Sequence, residues 1–129
     1  MANTFTKQTL VDGKRNAVIH AYLESDGVTG ELSAQTLVDA SALSGSPSSI
    51  KVKKIQSSLT GFDAKLLWDA TTDVPFANLP SGEMDDDWTD VGGIQNNAGS
   101  GVTGDIFITT VGFSAAGDRG HITIHVQKS

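Results

Sequence analysis

Gly104-Asp-Ile-Phe-Ile-Thr-Thr-Val-Gly-Phe113 and Arg119-Gly-His-Ile-Thr-Ile-His-Val-Gln-Lys128 decide the fold class. Both runs are rich in β-branched residues, which pack well on a pleated surface, and both have turn residues at their boundaries. In the second run Ile122, Ile124 and Val126 alternate with His121, Thr123 and His125, so one face is apolar and the other polar. The loop Ser114-Ala-Ala-Gly-Asp118 joins the two runs, and together they read as a terminal β-hairpin.

The same pattern recurs towards the N-terminus. Thr4–Val11 reads as a strand closed by Asp12-Gly13, and Asn16–Glu24 as a second closed by Asp26-Gly27. In the latter, Ala17, Ile19, Ala21 and Leu23 face one way, and Val18, His20, Tyr22 and Glu24 the other. Glu31–Asp39, centred on Thr36-Leu-Val38, is a weaker third strand. A small-residue loop follows over Ala40–Ser49, where Pro47 removes a ladder donor. Ile50–Leu59 opens with Ile50 and Val52 opposite Lys51 and Lys53, then slips at Lys54-Ile55, the signature of a bulge. Phe62–Ala70 is expected to pair with it across Thr60-Gly61. A short helix over Asp63–Ala70 is the alternative, given its Ala, Lys and Leu content.

Residues 72–103 are read as one long irregular loop arm. A loop of that length in a compact domain is functional or disordered far more often than it is a passive connection. Pro75, Phe76, Leu79, Pro80 and Trp88 within it predict an ordered arm that packs on its own domain or on a neighbour. The expectation is a single all-β domain over residues 1–129, an antiparallel β-sandwich carrying that arm.

Composition agrees. At 129 residues the chain suits one core. Its apolar fraction of 38% and aromatic fraction of 6% fit a thin two-sheet core better than a large cavity, and 14 glycines fit many tight turns. The absence of cysteine excludes disulfides, thiolate metal sites and a Cys nucleophile. A net charge of −6 argues against a nucleic-acid partner, which calls for a surplus of Lys and Arg on one face. No stretch reaches the roughly 18 apolar residues of a membrane span, and Met1–Lys7 lacks the features of a leader. The expectation is a soluble protein made in the cytosol, with neither membrane nor nucleic acid as partner.

The chemistry-bearing motifs weigh towards bland readings. Gly99-Ser-Gly-Val-Thr-Gly104 spells a dinucleotide fingerprint but is followed by a strand, not a helix, so it reads as a turn. Glu83, Asp85, Asp86, Asp87 and Asp90 offer carboxylates for a hard cation. The run fails the calcium-loop pattern, because Asp90 stands in the glycine place and Asn96 in that of the closing Glu, and it reads as solvated acid on an exposed loop. His121 and His125 would lie about 13 Å apart on a strand, too far to share an ion. They read as polar-face histidines at a possible subunit contact, with His20 free to approach them. Gly45-Ser-Pro has no nucleophile-elbow context, so a hydrolase is rejected. Lys51, Lys53 and Lys54 form a basic cluster that protects an edge strand or meets an acidic partner. Trp68, Trp88 and Tyr22 are the residues from which a carbohydrate-binding module would build a stacking platform, although core and loop anchors are the commoner role.

Phe5-Thr-Lys-Gln-Thr-Leu-Val-Asp-Gly-Lys-Arg-Asn-Ala-Val18, Leu66-Leu-Trp-Asp-Ala-Thr71 and Gly104–Phe113 together resemble small virion structural proteins of tailed bacteriophages, the capsid decoration or cement type above all. The resemblance implies a β-sandwich or jelly-roll-like subunit with no catalytic residues, cofactor or metal. It implies a homo-oligomer, a trimer being favoured, that binds the major capsid protein on the outside of the head. Such a protein is made in the bacterial cytoplasm and ends up in the virion. A head-tail connector or tail subunit, and a carbohydrate-binding module, are the alternatives. Contacts with partners are expected from Met1–Lys7, the arm 72–103 and Gln127–Ser129. The residues singled out are Phe5, Phe76, Leu79 and Trp88, with Lys51 and Lys53.

Overall fold

The computed structural model describes residues 4–27, 35–43, 45, 50–70, 72–94, 105–113, 115 and 117–128. Nine strands lie among them: β1 (Thr4–Asp12), β2 (Asn16–Glu24), β3 (Gln35–Val38), β4 (Ile50–Thr60), β5 (Asp63–Trp68), β6 (Val74–Leu79), β7 (Gly82–Asp87), β8 (Ile106–Val111) and β9 (Arg119–Lys128). Short 3₁₀ turns occupy Ala40–Ala42 and Thr89–Val91. The strands form two antiparallel sheets, one ordered β1-β2-β9-β4-β7 and the other β3-β8-β5-β6. The chain is all-β, a two-sheet sandwich, and Asp63–Trp68 is strand rather than helix.

One rule organises the pairing. β2 pairs with β9, β3 with β8, β4 with β7 and β5 with β6, so the chain is a long antiparallel ribbon doubled back at the β5–β6 turn. Rolling the ribbon sets β4 against β9 and β5 against β8, which completes both sheets. β1 lies outside the ribbon, along the free side of β2.

The core sits between the sheets and follows the period-2 alternation. Ala17, Ile19, Ala21 and Leu23 of β2 are buried with Ile122, Ile124 and Val126 of β9 and Ile50, Val52, Ile55 and Leu59 of β4. Leu37, Val38, Leu66, Trp68, Leu79, Ile106 and Ile108 of the second sheet meet them in the same cluster. Trp68 stacks on Phe76, with ring centroids 4.3 Å apart. Gly120 is buried at an inward position, opposite Leu23 on one side and Leu59 on the other. A Cβ there would stand 2.6 Å from the Ser58 carbonyl oxygen, so the glycine makes room for its neighbours.

The slip in the fourth strand is a bulge: the β4–β9 register shifts between Val52 and Lys54, leaving Lys53 as the extra residue. Its carbonyl accepts a hydrogen bond from the Trp88 amide (2.8 Å), and Ile94 forms an isolated bridge with Val52. Gly93, at φ 89°, permits this return, because a Cβ would lie 3.0 Å from the Val52 carbonyl oxygen.

Three expectations need correction. The terminal hairpin does not form: β8 belongs to the second sheet and β9 to the first, and the chain crosses the core between them. β4 and β5 likewise enter different sheets. Alternation reports which face of a strand is buried, not which sheet holds it. The third correction is to the irregular arm, since residues 74–79 and 82–87 are strands β6 and β7, one in each sheet. β6 contains Pro75, which an edge strand tolerates because a missing donor there need not break the ladder. Residues 95–103 of the arm, the glycine motif at 99–104, Ser46 and Pro47, residues 31–34, Met1–Asn3 and Ser129 lie outside the described residues.

Candidate interaction surface

β1 is the most exposed strand among the described residues. It pairs with β2 from Thr4↔Glu24 to Asp12↔Ala17, yet eight of its nine residues are exposed. A register shift between Thr9 and Val11 leaves Leu10 as a bulged residue. Leu10 is 55% exposed and Val11 50%, two neighbouring apolar side chains open to water. Among the described residues no strand pairs with its other edge, which from Thr4 to Val11 runs roughly 25 Å at about 3.3 Å per residue and is a ready template for another chain.

The strand is nonetheless held in place. At one end, the Lys128 ammonium contacts the Asp12 carboxylate and donates to the Gly13 carbonyl oxygen, pinning the β1–β2 turn to the end of β9. The Lys128 amide donates to the Arg15 carbonyl oxygen (2.6 Å). Near the middle, the Lys7 ammonium donates to the Thr36 carbonyl oxygen of β3 (2.8 Å). Between β1 and β3 lies a hollow of about 140 Å³ whose walls include Thr9, Ile19, Leu37 and Leu43.

The outer face of the first sheet is polar and ordered by register. His20 of β2 lies level with Thr123, Gln56 and Asp85; Tyr22 with His121, Ser58 and Glu83; Val18 with His125, Lys54 and Asp87. All three histidines therefore share this face, and the carboxylates of β7 border it. His20 and His121, on adjacent strands, have ring centroids 5.5 Å apart. A hollow of about 480 Å³ runs from His121 and Thr123 across Gln56 and Ser58 to Glu83 and Asp85.

The acidic run is thus an edge strand, not an exposed loop. Glu83, Asp85 and Asp87 point outward while Asp86 takes the opposite side, level with Ile55, so the four carboxylates do not converge. Among the described residues no group of three or more His, Cys, Asp or Glu could hold a metal ion. The Lys54 ammonium lies 3.9 Å from Asp85. The Thr89 hydroxyl (2.6 Å) and amide (2.9 Å) both donate to Asp87 Oδ1, and these bonds hold its pKa below the usual aspartate value. Among the described residues no strand pairs with the outer edge of β7, and its four acidic residues repel a second copy of that edge.

The residues expected to meet a partner have mixed positions. Leu79 is fully buried and offers no surface on this subunit. Phe5, Phe76 and Trp88 are half-buried and pack against the core. Lys51 and Lys53 are half-exposed at the bulge, and Lys53 and Trp88 are brought together by the backbone bond described above. The sugar-stacking platform does not assemble, because Trp68 is buried inside while Tyr22 lies on the outer face. Leu10 and Val11 were not singled out from sequence, although two adjacent apolar residues after Thr6-Lys-Gln-Thr9 break the alternation and mark the bulge.

No family model matches the chain, and no curated protein matches it. No helix among the described residues is long and apolar enough to cross a membrane.

Proposed function

We propose that this protein is a non-enzymatic virion subunit that decorates the outside of a phage head and cements the major capsid protein lattice. The observation that carries the reading is β1, a strand hydrogen-bonded to β2 on one side, paired with no other strand among the described residues, and bearing the exposed Leu10 and Val11. The resemblance of residues 5–18, 66–71 and 104–113 to decoration proteins supplies the identity of that neighbour.

The roll of the ribbon supports it. Strands β2-β9-β4-β7 over β3-β8-β5-β6 follow the order of an eight-stranded jelly roll with β1 appended, an architecture used by viral capsid domains and by lectins. Fold by itself does not select a function, so the weight falls on the open edge and the resemblance. A decoration protein works by many modest contacts repeated by symmetry. Leu10 and Val11 are already about half covered, so burying the rest is worth about 1 kcal/mol each. Multiplied over a lattice, such contacts hold neighbouring capsid subunits together. Self-association of the subunit, as a trimer, is part of the same proposal.

Expanded capsids lacking the protein should take it up to a fixed copy number and then withstand higher temperature. A Leu10→Asn/Val11→Asn variant should bind more weakly while remaining folded. If shells of that kind take up neither, the proposal fails; if copies are found only at the portal vertex, the head-tail reading replaces it.

A further inference from the structure

The pairing of β2 with β9 also brings two histidines together on the outer face of the first sheet. We propose that His20 and His121 form a two-histidine site for a borderline transition-metal ion, with Zn²⁺ as its representative. Two imidazoles on one tetrahedral ion, each bound through a nitrogen at about 2.0–2.1 Å, place their ring centres about 5 Å apart. The observed separation is 5.5 Å, close to that spacing. The backbone sets this spacing, because His20 and His121 are diagonal neighbours on paired strands, with His20 level with Thr123 and His121 level with Tyr22.

A second observation points the same way. His20 Nδ1 lies 3.0 Å from the Thr123 hydroxyl oxygen. With Nδ1 donating to that oxygen, the lone pair is on Nε2, the tautomer a metal ligand requires, and the ring orientation is fixed. Ligating histidines characteristically carry such a bond on the other nitrogen. Imidazole nitrogen suits Zn²⁺, Ni²⁺ and Cu²⁺ and disfavours Mg²⁺ and Ca²⁺. Glu83 and Asp85 line the same hollow as His121, and their charge favours a cation there without their reaching it as ligands. Water fills the remaining positions. His125, level with Lys54, stands apart from the pair.

Calorimetric titration of the intact protein with zinc chloride tests the site. One Zn²⁺ per chain is expected, with binding abolished in His20→Asn and in His121→Asn and unchanged in His125→Asn. Thr123→Val, which removes the orienting hydroxyl and leaves both ligands, should weaken binding about tenfold. These side chains point outward, so all four variants should keep the wild-type thermal midpoint. In NMR spectra the ring resonances of His20 and His121 should respond together to zinc, with His125 unmoved. Absence of zinc binding by the wild-type protein, or binding that survives loss of either His20 or His121, overturns the proposal.

Discussion

The rings of Phe62 and Phe113 lie 4.5 Å apart, centroid to centroid, at a 57° tilt, where two segments of chain pass side by side from one sheet to the other. Each follows a glycine in the left-handed region, Gly61 at φ 86° and Gly112 at φ 83°. Thr60 ends β4 beside Arg119, which begins β9, and Asp63 begins β5 beside Val111, which ends β8. The two crossings thus form one corner, a repeated Gly-Phe pair that turns the chain and plugs the end of the core. The phenylalanines are 3% and 0% exposed.

Truncating either ring should therefore be costly. Phe62→Ala and Phe113→Ala should each destabilise by about 3–5 kcal/mol. In chemical denaturation a double-mutant cycle should return a coupling of about 0.5–1.5 kcal/mol beyond the separate losses, as expected of an aromatic pair in contact.

The glycines at and beside the corner are tested by adding one carbon. A Cβ on Gly61 would meet Asp118 Oδ1 at 2.1 Å, on a backbone that L-residues avoid. Asp118 Oδ2 also accepts from the Ala115 amide (3.1 Å), so displacing this carboxylate disturbs the β8–β9 connection. Gly61→Ala and Gly120→Ala should each cost about 1–3 kcal/mol in thermal denaturation, whereas Gly45→Ala, with no atom of the described residues within 4 Å of its Cβ, should cost roughly 1 kcal/mol for its positive φ.

One buried hydroxyl should be better removed. Ser57 is 5% exposed on the inward side of β4, level with Ile122 and Met84, and its Oγ has no hydrogen-bond partner among the described residues. Ser57→Ala should raise stability by about 1 kcal/mol, because an unsatisfied buried polar group costs more than it returns. A lower denaturation midpoint for the variant would show that the hydroxyl is satisfied.

Asp87 supplies a pH marker. The Thr89 bonds favour its ionised form, so its pKa in the fold lies below that of the unfolded chain. Stability from this pair is present above the ordinary aspartate range and is lost as pH falls through the lowered pKa. Thr89→Val removes the hydroxyl donor, and the carboxyl resonance of Asp87 in an NMR titration should move to higher pH, back towards the usual value.

Much of the architecture was legible because one sheet face is buried and the other wet. Asn16–Glu24 was read with its correct ends and both faces, and the slip read at Lys54-Ile55 announced a bulge that the structure places one residue earlier, at Lys53. The pairing was not legible. Thr60-Gly61 and Ser114–Asp118 look like hairpin turns, and only tertiary packing, with Phe62 and Phe113 driven into the core, sends the following strands to the opposite sheet. Acidic β7 and Pro-containing β6 hid as loop because edge strands tolerate charge and proline that a central strand would reject. Of the candidate surface, the shared face of His121 and His125 was visible in the alternation. The approach of His20 and the open edge of β1 depend on which strand lies beside β2, which no local pattern encodes.

Electron microscopy of heads reconstituted with this protein tests the capsid assignment most directly. The map should show it on the outer surface in fixed stoichiometry, with β1 packed against a neighbouring subunit and Leu10 and Val11 covered. A reconstituted head with a bare exterior, or one carrying the protein with β1 turned to solvent, would contradict the account.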